Sequence, residues 1–195
     1  MQITKALLIG LLCYGQSALA QTSDDTTRAT ENALSFADKL VKANFYQDWQ
    51  TYTDLTCPSA IRYYGGKDGF KDHVTNLYFR DEPAVAEKPA TVQVITLQND
   101  NISQWQCVLQ KVRETYIDNR KAKVFSYLIG QSLDNGATWK FVDVSHNDIR
   151  NIIYILPDVF GTLPVPEKHT TFDDEVITEN TTKKPAKKKT GKRKK

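Results

Sequence analysis

The sequence predicts an α+β fold in which N-terminal helices pack on an antiparallel sheet. Three observations carry this. Between Thr27 and Asn44, apolar residues recur at spacings of three and four, as one face of a helix requires. From Ala90 onward the chain changes to segments rich in Val, Ile, Tyr, Phe and Trp, separated by short Asn/Asp/Gly turns. The stretch Lys121–Val144 is itself a hairpin, two such arms joined by Asp134-Asn135-Gly136. Asp and Asn tolerate left-handed backbone and Gly has no Cβ to clash there.

The 195 residues accommodate one domain with appendages. Residues 1–20 read as a signal peptide: Lys5 supplies a positive start, Ala6–Leu12 an apolar run and Ala18-Leu19-Ala20 a small-x-small cleavage site. The apolar run is short for a bilayer span. Leu11-Leu12 before Cys13 lacks the small residue of a lipoprotein site. The mature chain is therefore expected to begin near Gln21, exported to periplasm or medium, with no transmembrane anchor. Its two cysteines, Cys57 and Cys107, could form a disulfide there, contributing about 2–4 kcal/mol if unstrained. Two buried free thiols are the alternative.

The expected domain is 21–166. Ala29, Ala33, Phe36, Ala37, Leu40 and Val41 form the stripe of the first helix, and Phe45–Leu55 continues as a second, short one. Cys57-Pro58 ends it, since proline disfavours helix in the residue before it. Gly65-Gly66 breaks the chain, and a third helix is expected from Asp68 to Tyr78. Four strands follow: Thr91–Gln98, Ser103–Ile117, Lys121–Ser132 and Thr138–Val144. On the second, Trp105, Cys107 and Leu109 share one face and Val108, Val112 and Tyr116 the other. A short helix is expected over Asp148–Leu156, after which Pro157, Gly161, Pro164 and Pro166 lead the chain along the surface. There is no internal repeat.

Residues 167–195 read as a disordered linker and Lys-rich tail. Lys183, Lys184, Lys187, Lys188, Lys189, Lys192, Arg193, Lys194 and Lys195 hold nine of the 26 basic residues, and Lys5 leaves with the leader. Residues 1–20 and 183–195 contain no acid, so within 21–182 the remaining 16 bases face all 23 acids and that body carries −7 beneath an overall +3. The tail suits a polyanion such as nucleic acid or an anionic envelope surface, each Lys contributing about 1 kcal/mol near a charged surface. No aromatic residue interleaves it, which argues against base stacking.

Ser132-Leu133-Asp134-Asn135-Gly136-Ala137-Thr138-Trp139 resembles the Asp-box of sialidases, which occurs several times in those longer propellers and once here. It reads as a well-made hairpin. The order of three helices and then an antiparallel sheet, with the segments Phe36–Trp49, Gly66–Val74 and Lys121–Val144, resembles the nuclear transport factor 2-like superfamily, the cystatin-like cone, over about Thr27–Val144. That resemblance implies a curved sheet forming a cone whose mouth takes a small apolar ligand, and in some members a homodimer through the sheet face. Relatives include ketosteroid isomerase-like and polyketide cyclase-like enzymes.

Such enzymes need a carboxylate base in an apolar pocket with a donor opposite. The candidates are Asp143, His73 and Tyr64, with His146 nearby in sequence. Trp49, Tyr63, Tyr64 and Phe70 are candidate ligand contacts. No Cys/His cluster predicts a metal, and no phosphate loop or nucleophile elbow is present, so no cofactor is expected. The leading expectation is an exported, non-catalytic protein binding a small ligand or an envelope polyanion. An isomerase- or cyclase-type enzyme and a dimerising interaction module are the alternatives.

Overall fold

The computed structural model describes residues 18–81, 86–100, 103–145, 152–159 and 161–173. Helix α1 (Ala18–Phe45) is followed by α2 (Trp49–Asp54), α3 (Pro58–Tyr63) and α4 (Gly66–Asp81). Then come β1 (Thr91–Asn99), β2 (Trp105–Ile117), β3 (Arg120–Ser132), β4 (Lys140–Asp143), a turn of helix α5 (Ile152–Ile155) and β5 (His169–Phe172). The sheet is antiparallel, ordered β1-β2-β3-β4, with β5 also on β3. It curls into a half-barrel around the N-terminal helices, so the chain is an α+β cone.

Helix α1 fills the concave side. Ala29, Ala33 and Ala37 are fully buried, and their small side chains let the helix lie close to the sheet. Midway along it Ala29 meets the hairpin turn: a Cβ on Gly136 would come within 2.5 Å of the Ala29 Cβ. Asn32 donates to the Gly136 carbonyl at 2.9 Å, and so does the Trp139 indole at 3.1 Å. Gly136 itself has φ +76°, so glycine is required there for conformation as well as space.

The turn is held from within. Asp134 accepts from the Ser132 hydroxyl at 2.7 Å and from both the amide (2.9 Å) and the hydroxyl (2.7 Å) of Thr138. Burial pushes the Asp134 carboxyl up, but the hydrogen bonds from Thr138, Ser132 and Ala137 outweigh it, leaving the group below its usual range. The carboxylate thus closes the turn on itself, and the segment is a well-made hairpin.

The sheet register follows from the strand pattern. Asp118 and Asn119, both at positive φ, make the two-residue turn that pairs Ile117 with Arg120. The inward face of β2 carries Trp105, Cys107 and Leu109, opposite Ser132, Gly130 and Leu128 of β3. Gly130 is needed because a Cβ there would meet Cys107 Sγ at 2.6 Å and Phe141 at 2.8 Å. A bulge at Ile95 shifts the β1 register.

Four differences from expectation have physical causes. Pro58, read as the end of the second helix, also opens α3, because a proline at the first helical position loses no hydrogen bond. The short helix expected after β4 is found as α5, but the chain beyond it does not simply run along the surface, since Val159, Leu163 and Val165 pack with it. Ile152, Ile155 and Leu156 pack on Val108, Tyr127, Ile129, Val142 and Val144, making a second core on the convex face. Part of the convex face of the sheet is therefore covered by this chain's own segment. Strand β5 lies within the stretch expected to be disordered. Its aromatics hold it: His169 stacks on Phe125 at 4.6 Å, and Arg120 lies 4.1 Å from the Phe172 ring centre. Last, Cys57 and Cys107 are free thiols, both fully buried, rather than a disulfide.

Helix α1 runs across the expected cleavage site after Ala20. The rest of the leader, His146 and the Lys-rich tail lie outside the described residues. Among those described, no helix is long and apolar enough to cross a membrane.

Candidate functional site

Strands β4 and β5 pair with the same edge of β3, end to end. β4 covers Leu128–Gln131 and β5 covers Ala122–Phe125. The interval at Ser126 and Tyr127 is where the concave face opens. Above it the last turns of α1 stand off the sheet, and a cavity of about 280 Å³ remains between them. That is near the low end of the roughly 300–1,000 Å³ usual for ligand pockets.

The upper wall is apolar and aromatic: Leu40, Val41 and Phe45 of α1, Tyr52 of α2 and Tyr78 of α4. The floor is polar. Past Leu109 the inward face of β2 continues with Lys111 and Arg113, which stand opposite Ser126 and Val124 of β3. Asp143 follows Phe141 on the inward face of β4. Lys111 reaches over β3 and donates to Asp143 Oδ2 at 2.5 Å, with the two side chains only 11% and 16% exposed. The other Asp143 oxygen accepts from the Ser145 amide at 2.9 Å and from the Ser145 hydroxyl. Lys88 and Lys168 complete the rim.

A second, smaller cavity adjoins the first beneath α3 and α4 and shares Leu40, Asn44, Tyr52, Tyr78 and Asp143 with it. The structure brings the three catalytic candidates together here, since Asp143, His73 and Tyr64 all line this space. His73 stacks on Tyr64 with ring centres 3.9 Å apart. Phe70 is buried against Tyr52 and lines the same cavity. Two expected ligand contacts stand elsewhere. Tyr63 is 52% exposed, edge-on to Tyr64. Trp49 braces Tyr52 and Tyr78 edge-on from behind, at 6.2 and 5.7 Å.

Lys111 and Arg113 were not among the sequence candidates. The signal was present, because the alternation that puts Cys107 and Leu109 inside puts these two inside as well. No group of three or more His, Cys, Asp or Glu among the described residues could hold a metal ion. The two thiols are not reactive groups. Burial pushes Cys57 up to about 12 and Cys107 higher still, against only slight relief from Lys140 and the Gly130 backbone respectively.

Fold and site together define an α+β cone with a partly open cavity, apolar on its helical wall and charged on its sheet floor. Comparison of the chain with protein-family models, with curated proteins and with solved structures finds no match to any of them.

Proposed function

We propose that this chain is an exported binding protein of the nuclear transport factor 2-like kind, holding a small ligand in the cone without transforming it. The observation that carries the reading is the cavity between α1 and the sheet, walled by Leu40, Phe45, Tyr52 and Tyr78. Its size and mixed lining suit a compact molecule with one apolar and one polar end. The Lys-rich tail would attach the protein to an anionic envelope surface. Binding to anionic vesicles that is unaffected by removing residues 183–195 would count against that part.

One observation favours a second reading, an enzyme of the isomerase or cyclase type: Asp143, His73 and Tyr64 line one space. Against it, both Asp143 oxygens already accept hydrogen bonds, from Lys111 and Ser145, which suits a fixed counter-charge better than a proton carrier.

The test is native mass spectrometry of the protein purified gently from its own compartment. A reproducible added mass supports binding and sizes the ligand. A mass that changes on incubation with the recovered ligand favours the enzyme.

A further inference from the structure

We propose that the corner where α3 meets α5 is a membrane-contact surface: Tyr63, Ile153 and Tyr154 enter the interfacial layer of an anionic lipid bilayer while the basic tail holds its head groups. The inference rests on the tail reading above for the sign of the surface, and adds the part of the domain that touches it.

Single exposed apolar residues are ordinary on a protein, whereas a group of them marks a contact. Among the described residues, Tyr46, Tyr116 and Leu133 are exposed singly, and each has an acid within two residues, at Asp48, Glu114 and Asp134. Ile95 stands alone on the edge strand. The remaining three lie on two elements that touch. Ala60 of α3 shares one core with Ile152 and Ile155 of α5. That packing leaves Tyr63 outward on one element, and Ile153 and Tyr154 on the other, 54% and 66% exposed.

The chemistry of the corner favours lipid. Residues 21–182 carry −7, so an anionic surface repels most of the domain. Helices α3 and α5 contain no acid, and their one charged side chain is the exposed Arg62. Tyr suits the head-group layer, where its ring is buried and its hydroxyl stays wet, and Ile adds apolar area at the acyl boundary. The tail can meet the same surface. The described chain ends at Asp173 and Lys183 stands ten residues on, a reach of up to about 35 Å, comparable to the width of a small domain. Neither contact suffices alone, because stable attachment to a bilayer takes an apolar and an electrostatic signal together.

The mature chain is sedimented with vesicles of phosphatidylglycerol and phosphatidylcholine, and with phosphatidylcholine alone, over a range of salt. Ile153→Ser with Tyr154→Ser is expected to weaken binding to the mixed vesicles at least about ten-fold, the worth of burying one large apolar side chain. That ratio should persist as salt rises, since salt screens the tail and not the apolar contact. Leu133→Ser, which removes an equally exposed apolar residue elsewhere, is expected to change nothing. Should the double variant misfold, Tyr154→Trp decides the matter: its emission should be quenched by brominated lipid beyond that of the unaltered chain.

Salt-sensitive binding that the double variant keeps overturns the corner and leaves the tail reading standing. Binding that the double variant loses but salt does not touch supports the corner and sinks the tail reading. Equal loss in Leu133→Ser, or Tyr154→Trp emission that brominated lipid leaves alone, overturns the proposal. Self-association that the double variant abolishes, with no binding to either vesicle, assigns the corner to a second copy and overturns the lipid.

Discussion

Lys111 and Asp143 meet at 2.5 Å although β3 lies between their strands. The pair spans the sheet on its concave side, across the face of Ser126 and Leu128. It ties β2 to β4 at the point where the cavity opens. Both groups are mostly withdrawn from water, so breaking the pair is costly.

Asp143→Asn should therefore cost about 3 kcal/mol, measured by urea unfolding, because Lys111 is left buried without its partner. Replacing both residues, as Lys111→Met with Asp143→Leu, should recover most of that loss. A double variant no more stable than the single one would show that Asp143 acts through Ser145 rather than Lys111.

Gly136→Ala should destabilise by about 2 kcal/mol or more, from strained backbone together with overlap on Ala29. Ala29→Gly in the same chain should relieve only the overlap. Thermal unfolding of the two single variants and the double separates the contributions.

The buried thiols set a limit at high pH. Burial raises Cys57 from 9.0 to about 12 in the folded chain, and Cys107 is raised further. An unfolded thiol loses its proton from about pH 9 upward while the folded one keeps it, so the unfolded state binds fewer protons there. Stability contributed by each thiol is complete below pH 9 and falls between pH 9 and 12, by up to about 1.4 kcal/mol per unit. The slope of unfolding free energy over this range should be shallower in Cys107→Ala. Thiol titration in urea should find both groups, and in buffer at neutral pH neither. Absence of both in urea would mean that the two had become joined.

Phe172→Ala should loosen β5 with little effect on global stability, since Phe172 is only half buried and its partner is the Arg120 guanidinium. Amide exchange should quicken at residues 169–172 and at their β3 partners while β2 stays protected. Uniform quickening across the sheet would mean that β5 is integral to the cooperative unit.

Much of the fold was legible in local signals. The stripe from Ala29 to Val41 gives α1, and Asp118-Asn119 and Asp134-Asn135-Gly136 each make the turns their backbone preferences dictate. What could not be read was long-range. Strand β5 is too short to stand out as a strand on its own, and the β3 edge at residues 122–125, with Phe125 and Arg120, more than forty residues earlier, gives it a place. The apolar residues after Ile152 look scattered until the convex face they cover is in view. The site divides in the same way. Asp143, His73 and Tyr64 could be named from the sequence as titratable groups, but that they line one cavity follows only from the packing of α3 and α4 on the sheet. Lys111 and Arg113 carry charges that on a strand ordinarily face water, and only the curl of the sheet puts them inside.

The sharing of one β3 edge by β4 and β5 has a consequence for the order of events during synthesis. Residues 122–125 emerge as a complete strand long before the residues that cover their edge exist. At roughly 5–20 residues per second, that edge waits several seconds for its partner. During this interval a nascent chain presents an open template on which a neighbouring nascent chain could add a strand. The time taken to supply the stretch before His169 then sets how long that edge stays open.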